Sequence, residues 1–458
     1  MKMTGAQILV ETLIEQGVDT VFGFPGGMVV DIYDSLFDRQ DKIKHILTAH
    51  EEGAVHAADG YARSTGRTGV VIATSGPGAT NLVTGIATAY LDSIPLVAIT
   101  GNVSNAQIGR DSFQEIDITG ITLPITKHNF FVHKVQNLAD VVRKAFELAR
   151  TGRPGPVLID IPKDVQEAVF EYKKKPVMTP LEELPACSDN DIQKAVQLIR
   201  ESKRPYIYFG GGAVRTSIGE DIVKLADKID AVIGCSMMGL SEVPSDSPRF
   251  LGMQGMHGRY ASSVALAKSD LIIAIGVRFS DRATGRTEKF SLSAAKIHVD
   301  ADRAEIGKNI PVDLGICCDI RDFTRRLTAA VEQRKNPEWI KKVEGLKKKE
   351  AAAYEGLPFL PRDAISVISD NTDSDTRFVT DVGQHQCWAA QFLKFRNKRT
   401  WITSGGLGTM GFGLGAAIGS SIATGKRSVL ITGDGSFGMA DTRFQAVYTV
   451  LVLLLLTH

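Results

Sequence analysis

The sequence predicts an α/β protein built from doubly wound parallel sheets. Three stretches alternate short apolar runs of strand length with longer runs of helix length, at residues 4–160, at 206–299 and from about 361 onward. Such alternation is typical of parallel strands joined by helical crossovers. In the first and last stretches, glycine-rich turns directly follow apolar runs, at the position where a parallel sheet opens its ligand crevice.

The composition excludes several classes of function. The chain has 458 residues, of which 43% are hydrophobic and 23% charged, and a net charge of +1, which indicates a globular chain of several domains. That charge gives no attraction for nucleic acid or for anionic membranes. Five cysteines without Cys-x-x-Cys spacing favour reduced thiols in the cytoplasm. The first seventeen residues predict an amphipathic helix instead of a signal peptide, and no apolar run is long enough to span a bilayer.

The first stretch shows the most regular alternation. Its expected strands are 20–24, 43–47, 69–74 and 95–100, and its expected helices are 4–17, a run ending near 39, 50–63 and a run ending near 92. A linker rich in Pro and Glu, at 171–185, separates it from the second stretch. There the expected strands are 206–209, 231–235, 271–275 and 296–299. The segment 332–355, rich in Lys and Glu, is expected to be a solvated helix and connector.

The helix at 50–63 carries two acids, Glu51 and Glu52, in its first turn. Acids there commonly only offset the helix macrodipole. The small residues that follow let another backbone or a flat ring pack closely, and a carboxyl buried in this way can share a proton with a ligand nitrogen. His50 and His56 are expected to cap or pack, because no third metal ligand stands at helical spacing.

Two glycine patterns near residue 400 and beyond point to a phosphorylated cofactor. Gly406-x-Gly408-x-x-Gly411 has the dinucleotide spacing, with Asp434 about twenty residues further on, but the run from Gly433 to Gly438 fits the same pattern. In the second run an apolar strand is followed by Gly-Asp-Gly-Ser, which offers a carboxylate for Mg²⁺ and backbone N–H groups for a diphosphate. The alternative is a strand-to-helix turn with an Asp cap.

Long motifs in order along the chain carry a resemblance to one enzyme family. They are HEEGAVHAADGYARSTG, ATSGPGATNLVTGIATAYLDSIPLVAITGN, GRDSFQEIDITGIT, RPGPVLIDIPKD, GMHG, GVRFSDRATG, HVDADRAEIGKN, DVGQHQCWAAQF, SGGLGTMGFGL and GDGSF. Together they resemble the large catalytic subunit of acetohydroxyacid synthase (acetolactate synthase), a thiamine-diphosphate-dependent transferase family of valine, leucine and isoleucine synthesis.

The resemblance implies three doubly wound domains, the third incomplete. They are a pyrimidine-binding domain at 1–170, a central FAD-binding domain at 186–331 and a diphosphate-binding domain at 361–458. It also implies that pyruvate is decarboxylated on thiamine diphosphate and that the two-carbon unit is condensed with pyruvate or 2-oxobutyrate. The expected assembly is a homodimer or homotetramer with a small regulatory subunit.

The resemblance further assigns roles to residues. Glu51 matches the catalytic glutamate that bonds the pyrimidine, Met410 matches the residue that supports the bent cofactor, and Phe113 and Gln114 line the pyruvate pocket. Asp434 matches a Mg²⁺ ligand. The matched positions of the diphosphate site are Gln384, His385, Gln386, Gly408, Gly435 and Ser436.

In the central domain, the resemblance associates a set of residues with FAD and one with the second substrate. The FAD positions are Arg153, His257, Arg278, Asp281, Asp300 and Asp319. Arg282 matches the arginine that meets the carboxylate of the second 2-oxoacid, and a guanidinium can bond both oxygens of a carboxylate together.

The sequence departs from the family pattern at a few places. Asn102 stands where the family has glutamine, and Gly415 stands where it has proline. After Phe437 the family motifs stop, as a truncated or frameshifted reading frame would produce. We therefore expect that a second Mg²⁺ ligand is missing and that this polypeptide has little activity.

Three other functions remain open from the sequence. An NAD-linked dehydrogenase would use the Gly406 to Gly411 pattern, another thiamine-diphosphate carboligase or decarboxylase would dispense with FAD, and an inactive remnant of the synthase would bind cofactor without turnover. Purified protein with a flavin spectrum would favour the synthase over a carboligase that lacks FAD.

Overall fold

A computed structural model of the chain describes residues 1–176, 184–441 and 451–455. The chain forms two compact units, each assembled from separate segments. The first unit comprises Met1–Glu182, Arg377–Gly383 and Ile402–His458, and the second comprises Glu183–Thr376 and Gln384–Trp401.

Residues 1–176 contain eight strands and eight helices. The strands are β1 (Lys2–Thr4), β2 (Thr20–Gly23), β3 (Lys44–Leu47), β4 (Gly69–Ala73), β5 (Leu96–Asn102), β6 (His128–Phe131), β7 (Pro156–Pro162) and β8 (Val169–Glu171). The helices are α1 (Gly5–Glu15), α2 (Val30–Phe37), α3 (Glu51–Thr65), α4 (Pro77–Thr80), α5 (Val83–Asp92), α6 (Ile118–Thr122), α7 (Val135–Arg150) and α8 (Lys163–Glu167).

Residues 184–376 contain six strands and eight helices. The strands are β9 (Pro205–Phe209), β10 (Val232–Cys235), β11 (Phe250–Met253), β12 (Leu271–Ile275), β13 (Ala295–Asp300) and β14 (Leu314–Cys317). The helices are α9 (Asp189–Glu201), α10 (Gly211–Thr216), α11 (Gly219–Ile229), α12 (Tyr260–Lys268), α13 (Asp281–Thr284), α14 (Ile320–Ala330), α15 (Pro337–Ala352) and α16 (Pro361–Asp370).

The remaining described residues add four strands and three helices. The strands are β15 (Arg377–Thr380), β16 (Trp401–Ile402), β17 (Ser428–Thr432) and β18 (Leu451–Leu455). The helices are α17 (Gln384–Phe392), α18 (Phe412–Thr424) and α19 (Asp434–Asp441).

Each large sheet is parallel, which confirms the predicted α/β class. The first sheet has the order β3-β2-β4-β5-β7-β6, and the second has the order β11-β10-β9-β12-β13-β14. In the third sheet, β15, β17 and β18 are parallel in the order β16-β15-β17-β18. A small antiparallel pair, β1 with β8, was not predicted.

In each sheet the strand order reverses between two neighbouring strands, and ligand crevices open at such points. The reversals lie between β2 and β4, between β9 and β12, and between β15 and β17. In the second sheet this order matches that of dinucleotide-binding folds, in which the first and fourth strands are neighbours.

Local sequence signals explain the boundaries of the helices nearest the first crevice. Thr4 and Gln7 form a reciprocal capping box at the start of α1. His50 caps α3 because its Nδ1 accepts from the backbone N–H of Glu52 at 3.1 Å, as predicted. Gly66 ends α3 in the left-handed region at φ 75°.

Helices α3 and α18 cross at very close range inside the first unit. A Cβ atom at Gly60 would overlap the backbone of Ala416, and one at Gly419 would overlap the backbone of Ala57. His56, predicted to pack or cap, is 1% exposed and lies edge-on against Phe412, with ring centroids 5.3 Å apart.

The segments 171–185 and 332–355 were both predicted to connect larger parts of the chain. The segment 332–355 contains α15, a helix as expected, and most residues of this helix are exposed. One face is not solvated, since Trp339, Val343 and Leu346 are buried in the core of the second unit. Part of the expected linker, 177–183, lies outside the described residues. Within the described residues, no helix has the length and apolar character that crossing a membrane requires.

Candidate cofactor site

Glu51 is the first residue of α3 and is 8% exposed. Its Oε2 accepts a hydrogen bond from Asn81 Nδ2 at 2.9 Å. A Cβ atom at Gly78 would stand 3.1 Å from Glu51 Oε1, so a glycine there leaves room beside the carboxyl group. Burial, together with the negative charge of Glu51, raises the pKa of the Tyr33 hydroxyl. The structure therefore places a buried carboxyl group at the crevice of the first sheet.

The turn after β4 brings Gln114 next to this crevice. Gly76 has φ 60°, and a Cβ atom on it would lie 2.9 Å from Gln114 Cβ. Gln114 itself has φ 59°, an uncommon conformation for a residue with a side chain. Phe113 is 81% exposed. A strained glutamine and an exposed aromatic ring are suited to contact a ligand.

The glycine-rich turn that leads to Met410 is fixed by Asp381, which begins the strand-to-loop turn that the sequence predicts at 381–386. Asp381 is 1% exposed and lies directly after β15. Its Oδ1 accepts from the N–H of Gly411 at 2.9 Å and its Oδ2 from that of Gly413 at 3.0 Å. Gly408 and Gly411 both adopt positive φ, at 71° and 89°. An acid at the start of a strand-to-loop turn was the signal that could have identified this role of Asp381.

Met410 and the Gly-Asp-Gly-Ser run lie together at the crevice of the third sheet. Met410 Cε is 3.6 Å from the position of a Cβ atom on Gly435. Asp434 is exposed and is the first residue of α19. Ser436 is buried and donates from Oγ to the carbonyl of Val382 at 3.0 Å. The predicted diphosphate residues of this run therefore stand at a strand end and a helix N-terminus.

The side chains around Asp434 decide which kind of metal site it could form. In the described part of the chain, no group of three or more His, Cys, Asp and Glu side chains could hold a metal. An exposed single carboxylate instead matches the way Mg²⁺ binds when diphosphate oxygens and water supply the other ligands. Asp434 therefore fits a metal that arrives with a diphosphate.

The remaining predicted diphosphate residues lie on α17 in the second unit. Gln384 begins this helix and is exposed, whereas His385 and Gln386 are buried. The apolar positions Ala389 and Ala390 anchor the same helix in the core.

The residues associated with FAD occupy two units. Arg153 is in the first unit, where its Nε donates to Ser93 Oγ at 2.8 Å. The other five belong to the second unit, and two of them sit at strand ends. Asp300 ends β13, and Asp319 follows β14 and caps α14 by accepting from the N–H of Arg321 at 2.7 Å. Burial raises the pKa of Asp300. The hydrogen bond from the N–H of Asp302 and the positive charge of Arg215 act in the opposite direction but do not cancel this effect.

Of the three further positions of that set, Arg278 and His257 are on loops of the second unit and Asp281 is the first residue of α13. Arg278 follows β12 and is half-buried, whereas His257 and Asp281 are exposed. Arg282, the predicted substrate arginine, is also exposed, and its Nη1 lies 3.6 Å from Met256 Sδ. Its Nε is 3.7 Å from an Asp281 carboxylate oxygen. Its guanidinium is thus open to a second carboxylate.

The reversal point of the second sheet carries glycines that the sequence analysis missed. Gly210, Gly211 and Gly212 directly follow β9, and a Cβ atom on Gly212 would lie 2.7 Å from the Cα atom of Gly276 after β12. Three consecutive glycines after an apolar strand were the signal. Close turns at this point of the sheet fit a dinucleotide such as FAD.

Three family models match this chain, and all three describe domains of thiamine pyrophosphate enzymes. Residues 3–121 match the family described as thiamine pyrophosphate enzyme, N-terminal TPP binding domain. Residues 192–327 match the central domain of thiamine pyrophosphate enzymes, and residues 381–449 match their C-terminal TPP binding domain.

Individual relatives cover almost the whole chain. This chain is 44% identical over 455 residues to the probable acetolactate synthase large subunit of Methanocaldococcus jannaschii. The alignment covers 95% of this chain and 76% of that protein. It is also 44% identical to the acetolactate synthase large subunit of Corynebacterium glutamicum, over 96% of this chain and 72% of that protein. The chain is likewise 44% identical to the acetolactate synthase isozyme 1 large subunit of Escherichia coli, over 96% of this chain and 78% of that protein. The chain therefore belongs to the acetolactate synthase large-subunit family of thiamine-diphosphate-dependent enzymes.

Proposed function

We propose that this protein decarboxylates pyruvate and joins the two-carbon unit to a second 2-oxoacid, either pyruvate or 2-oxobutyrate. We further propose that it does so in the cytoplasm, in branched-chain amino acid synthesis, with Mg²⁺ and FAD as well as thiamine diphosphate. The observation that carries the proposal is the buried Glu51 carboxyl at the crevice of the first sheet, bonded to Asn81 and faced by Gly78.

Bound thiamine diphosphate supplies the nucleophilic carbon and the electron sink of the reaction. Glu51 would exchange a proton at Oε1, because Oε2 already accepts from the amide of Asn81. A carboxyl with one oxygen committed and the other free presents a single atom for proton exchange with a ring nitrogen. Gln114 and Phe113 would contact pyruvate from the turn beside Gly76.

The third crevice would bind the diphosphate end of the cofactor. Asp434 would ligate Mg²⁺, and the N–H groups of Gly435 and Ser436 at the start of α19 would face the phosphate oxygens. Met410 would orient the cofactor, since its Cε approaches Gly435. Gly408 would allow the turn its positive φ. We also propose, from the resemblance alone, that Gln384, His385 and Gln386 bind the cofactor.

The second unit would hold FAD and receive the second substrate. The order of its sheet and the glycine turns after β9 and β12 support a dinucleotide. The residues of this unit that would contact FAD are Asp300, Asp319, Arg278, His257 and Asp281. Arg153 is proposed for FAD only through the resemblance. Arg282 would bind the carboxylate of the acceptor 2-oxoacid through its exposed guanidinium.

We also propose that the protein works as a homodimer or homotetramer with a small regulatory subunit. The names of its relatives, which are large subunits, support this assembly. The three domains proposed at 1–170, 186–331 and 361–458 would each contribute to it.

The test of the proposed function is the substitution Glu51→Gln in a full-length version of the chain that carries the C-terminal segments of the family, with Glu52→Gln as its matched control in the same helical turn. Acetolactate formation is measured with saturating thiamine diphosphate, Mg²⁺ and FAD, and cofactor affinity by calorimetry. We expect Glu51→Gln to bind the cofactor within about threefold of wild type and to lose activity by about a hundredfold or more, since an amide cannot exchange the proton. Glu52→Gln should retain activity.

Activity of Glu51→Gln within about threefold of wild type would remove Glu51 from the reaction. Wild-type protein that binds the cofactor and forms no acetolactate would favour the inactive alternative. The family departure on which that alternative rests lies largely at 442–450 and 456–458, outside the described residues. A melting temperature raised more by NAD than by thiamine diphosphate would favour the dehydrogenase.

A further inference from the structure

The carboxylate of Asp92 is buried at the end of α5 and is bonded to the backbone of the turn that leads to Met410. Asp92 is 3% exposed. Its Oδ1 accepts from the N–H of Gly406 at 2.8 Å, and its Oδ2 from that of Gly405 at 3.0 Å. These bonds join positions more than three hundred residues apart within the first unit. A carboxylate that accepts two backbone N–H bonds fixes both peptide groups strongly.

Gly406 lies so close to this carboxylate that only a residue without a side chain fits there. A Cβ atom on Gly406 would lie 2.9 Å from Asp92 Oδ1 and 2.9 Å from Leu91 Cβ. Any side chain would therefore push the turn away from Asp92. The first glycine of the Gly406-x-Gly408-x-x-Gly411 pattern thus allows contact with α5, which accounts for glycine at this position without a dinucleotide.

Arg63 connects the same carboxylate to the helix that begins with Glu51. Its Nη2 donates to Asp92 Oδ2 at 2.9 Å, its Nη1 donates to the carbonyl of Thr403 at 2.8 Å, and its Nε is bonded to Asp59. The guanidinium also lies 5.2 Å from the ring centroid of Phe412. Burial acts to lower the pKa of Arg63, but Asp59 and Asp92 raise it overall, so the arginine stays charged.

The turn is therefore held at both ends by buried carboxylates. Asp92 holds Gly405 and Gly406, and Asp381 holds Gly411 and Gly413. Thr409, directly before Met410, is held by Ser404 Oγ at 3.0 Å from its N–H. Met410 lies between the two anchors, so its backbone position depends on both.

We propose that Asp92 is a positioning residue for the cofactor, acting through the turn that sets Met410 beside Gly435. The inference rests on the proposed role of Met410 in binding thiamine diphosphate. An error of about 1 Å in such a support is enough to weaken alignment of the reacting groups strongly.

The test compares Asp92→Asn with Asp59→Asn in the full chain. Both variants remove one carboxylate from Arg63, but only Asp92 is bonded to the turn. In Asp92→Asn, one oxygen becomes an NH₂ group that faces other donors, so an N–H of Gly405 or Gly406 loses its acceptor. We expect hydrogen exchange of the 404–411 amides, measured without cofactor, to accelerate about tenfold in Asp92→Asn and less than about threefold in Asp59→Asn.

Cofactor measurements then test the positioning role. We expect the Kd for thiamine diphosphate to rise about tenfold in Asp92→Asn, with less than about threefold change in Asp59→Asn. At saturating cofactor, the near-ultraviolet circular dichroism of the bound molecule should change in Asp92→Asn only. Gly406→Ala, which keeps every charge, should reproduce these effects if Asp92→Asn does not fold, whereas Gly345→Ala, with open space around its Cβ position, should not.

Equal effects of Asp92→Asn and Asp59→Asn on exchange, Kd and dichroism would overturn the inference, and so would a neutral Gly406→Ala. Wild-type protein that does not bind thiamine diphosphate would overturn the proposed function instead. The two failures are therefore distinguishable.

Discussion

Asp160 is a carboxyl group enclosed between two strands of the first sheet. It is 1% exposed, and it accepts from Thr100 Oγ1 at 2.7 Å and from Asn102 Nδ2 at 2.6 Å. Burial raises its pKa to about 7, even though both hydrogen bonds favour the charged form. The amide of Asn102, on β5, is thus a side-chain partner of Asp160 on β7.

We expect this carboxyl group to make stability depend on pH. The unfolded side chain releases its proton near pH 4 and the folded one near pH 7, so the folded state binds more protons between these values and stability falls as pH rises. From about pH 5 to about pH 8, wild type should lose about 3 kcal/mol more than Asp160→Asn. Urea unfolding at the two pH values measures this. The exposed Asp246→Asn is the control, and a wild-type slope in Asp160→Asn would contradict the assignment.

Single residues differed in how well the sequence predicted them. The position of Glu51 in a first helical turn and the capping role of His50 could be predicted, because both depend on neighbours within a few residues. The hydrogen bonds that Asp381 and Asp92 make could not be predicted, since their partners lie about thirty and more than three hundred residues away. The catalytic and binding roles assigned through the resemblance stay predictions.

Among the secondary-structure elements, the crossing of α3 and α18 depends on glycine at the points of closest approach. A Cβ atom at Gly419 would overlap the backbone of Ala57, and backbone cannot yield as a flexible side chain does. The crossing also aligns Ser64 and Ser420, whose hydroxyl groups are 2.7 Å apart. The site elements of the first unit are thus joined by backbone contact.

We expect Gly419→Ala to destabilise the protein by about 3 kcal/mol or more, because the added methyl group forces the two helices apart. Gly345→Ala is the matched control, since it lies in the middle of α15 with no atom within 4 Å of its Cβ position. That variant should be neutral or more stable by up to about 1 kcal/mol. Denaturant unfolding of both measures the contrast. A Gly419→Ala protein as stable as Gly345→Ala would show that the crossing can relax.

The helix α15 shows why an element can be predicted and its environment missed. Its lysines and glutamates indicated a solvated helix. Trp339, Val343, Leu346 and the carboxyl of Glu350 nevertheless form one buried face at spacings of four, three and four residues. Glu350 is neutralised by Arg259, which donates from Nε at 2.9 Å. Because most side chains of this helix are polar or charged, the regular spacing of its buried residues was not recognised in the sequence.

For the molecule as a whole, the sequence predicted parallel α/β sheets but not the order of their strands. Alternation of strand and helix sets the class, whereas strand order depends on contacts between distant segments. The predicted boundaries of the three domains remain predictions, and the two compact units of the fold draw on interleaved segments of the chain.

We expect complementary variants to restore activity across a dimer. The Glu51 carboxyl is bonded at the crevice of the first sheet, whereas Met410 and Asp434 stand at that of the third. If a partner subunit supplies the second set, inactive Glu51→Gln and Asp434→Ala chains that are mixed and allowed to exchange subunits should regain about a quarter of wild-type activity, because half of the dimers are mixed and each has one intact site. No activity in a mixture shown by mass to contain mixed dimers would place both residues in one subunit.

The long-range pairing of Arg63 and Asp92 with the turn near Gly405 has a consequence for synthesis on the ribosome. About three hundred codons separate Asp92 from its acceptor turn, so at typical translation rates the nascent chain waits on the order of 15 to 60 s for it. During that interval the small-residue face of α3 has no α18 to cover it, and water must solvate the three charges of Asp59, Arg63 and Asp92. The first unit therefore cannot close around these buried charges before residue 420 has left the ribosome.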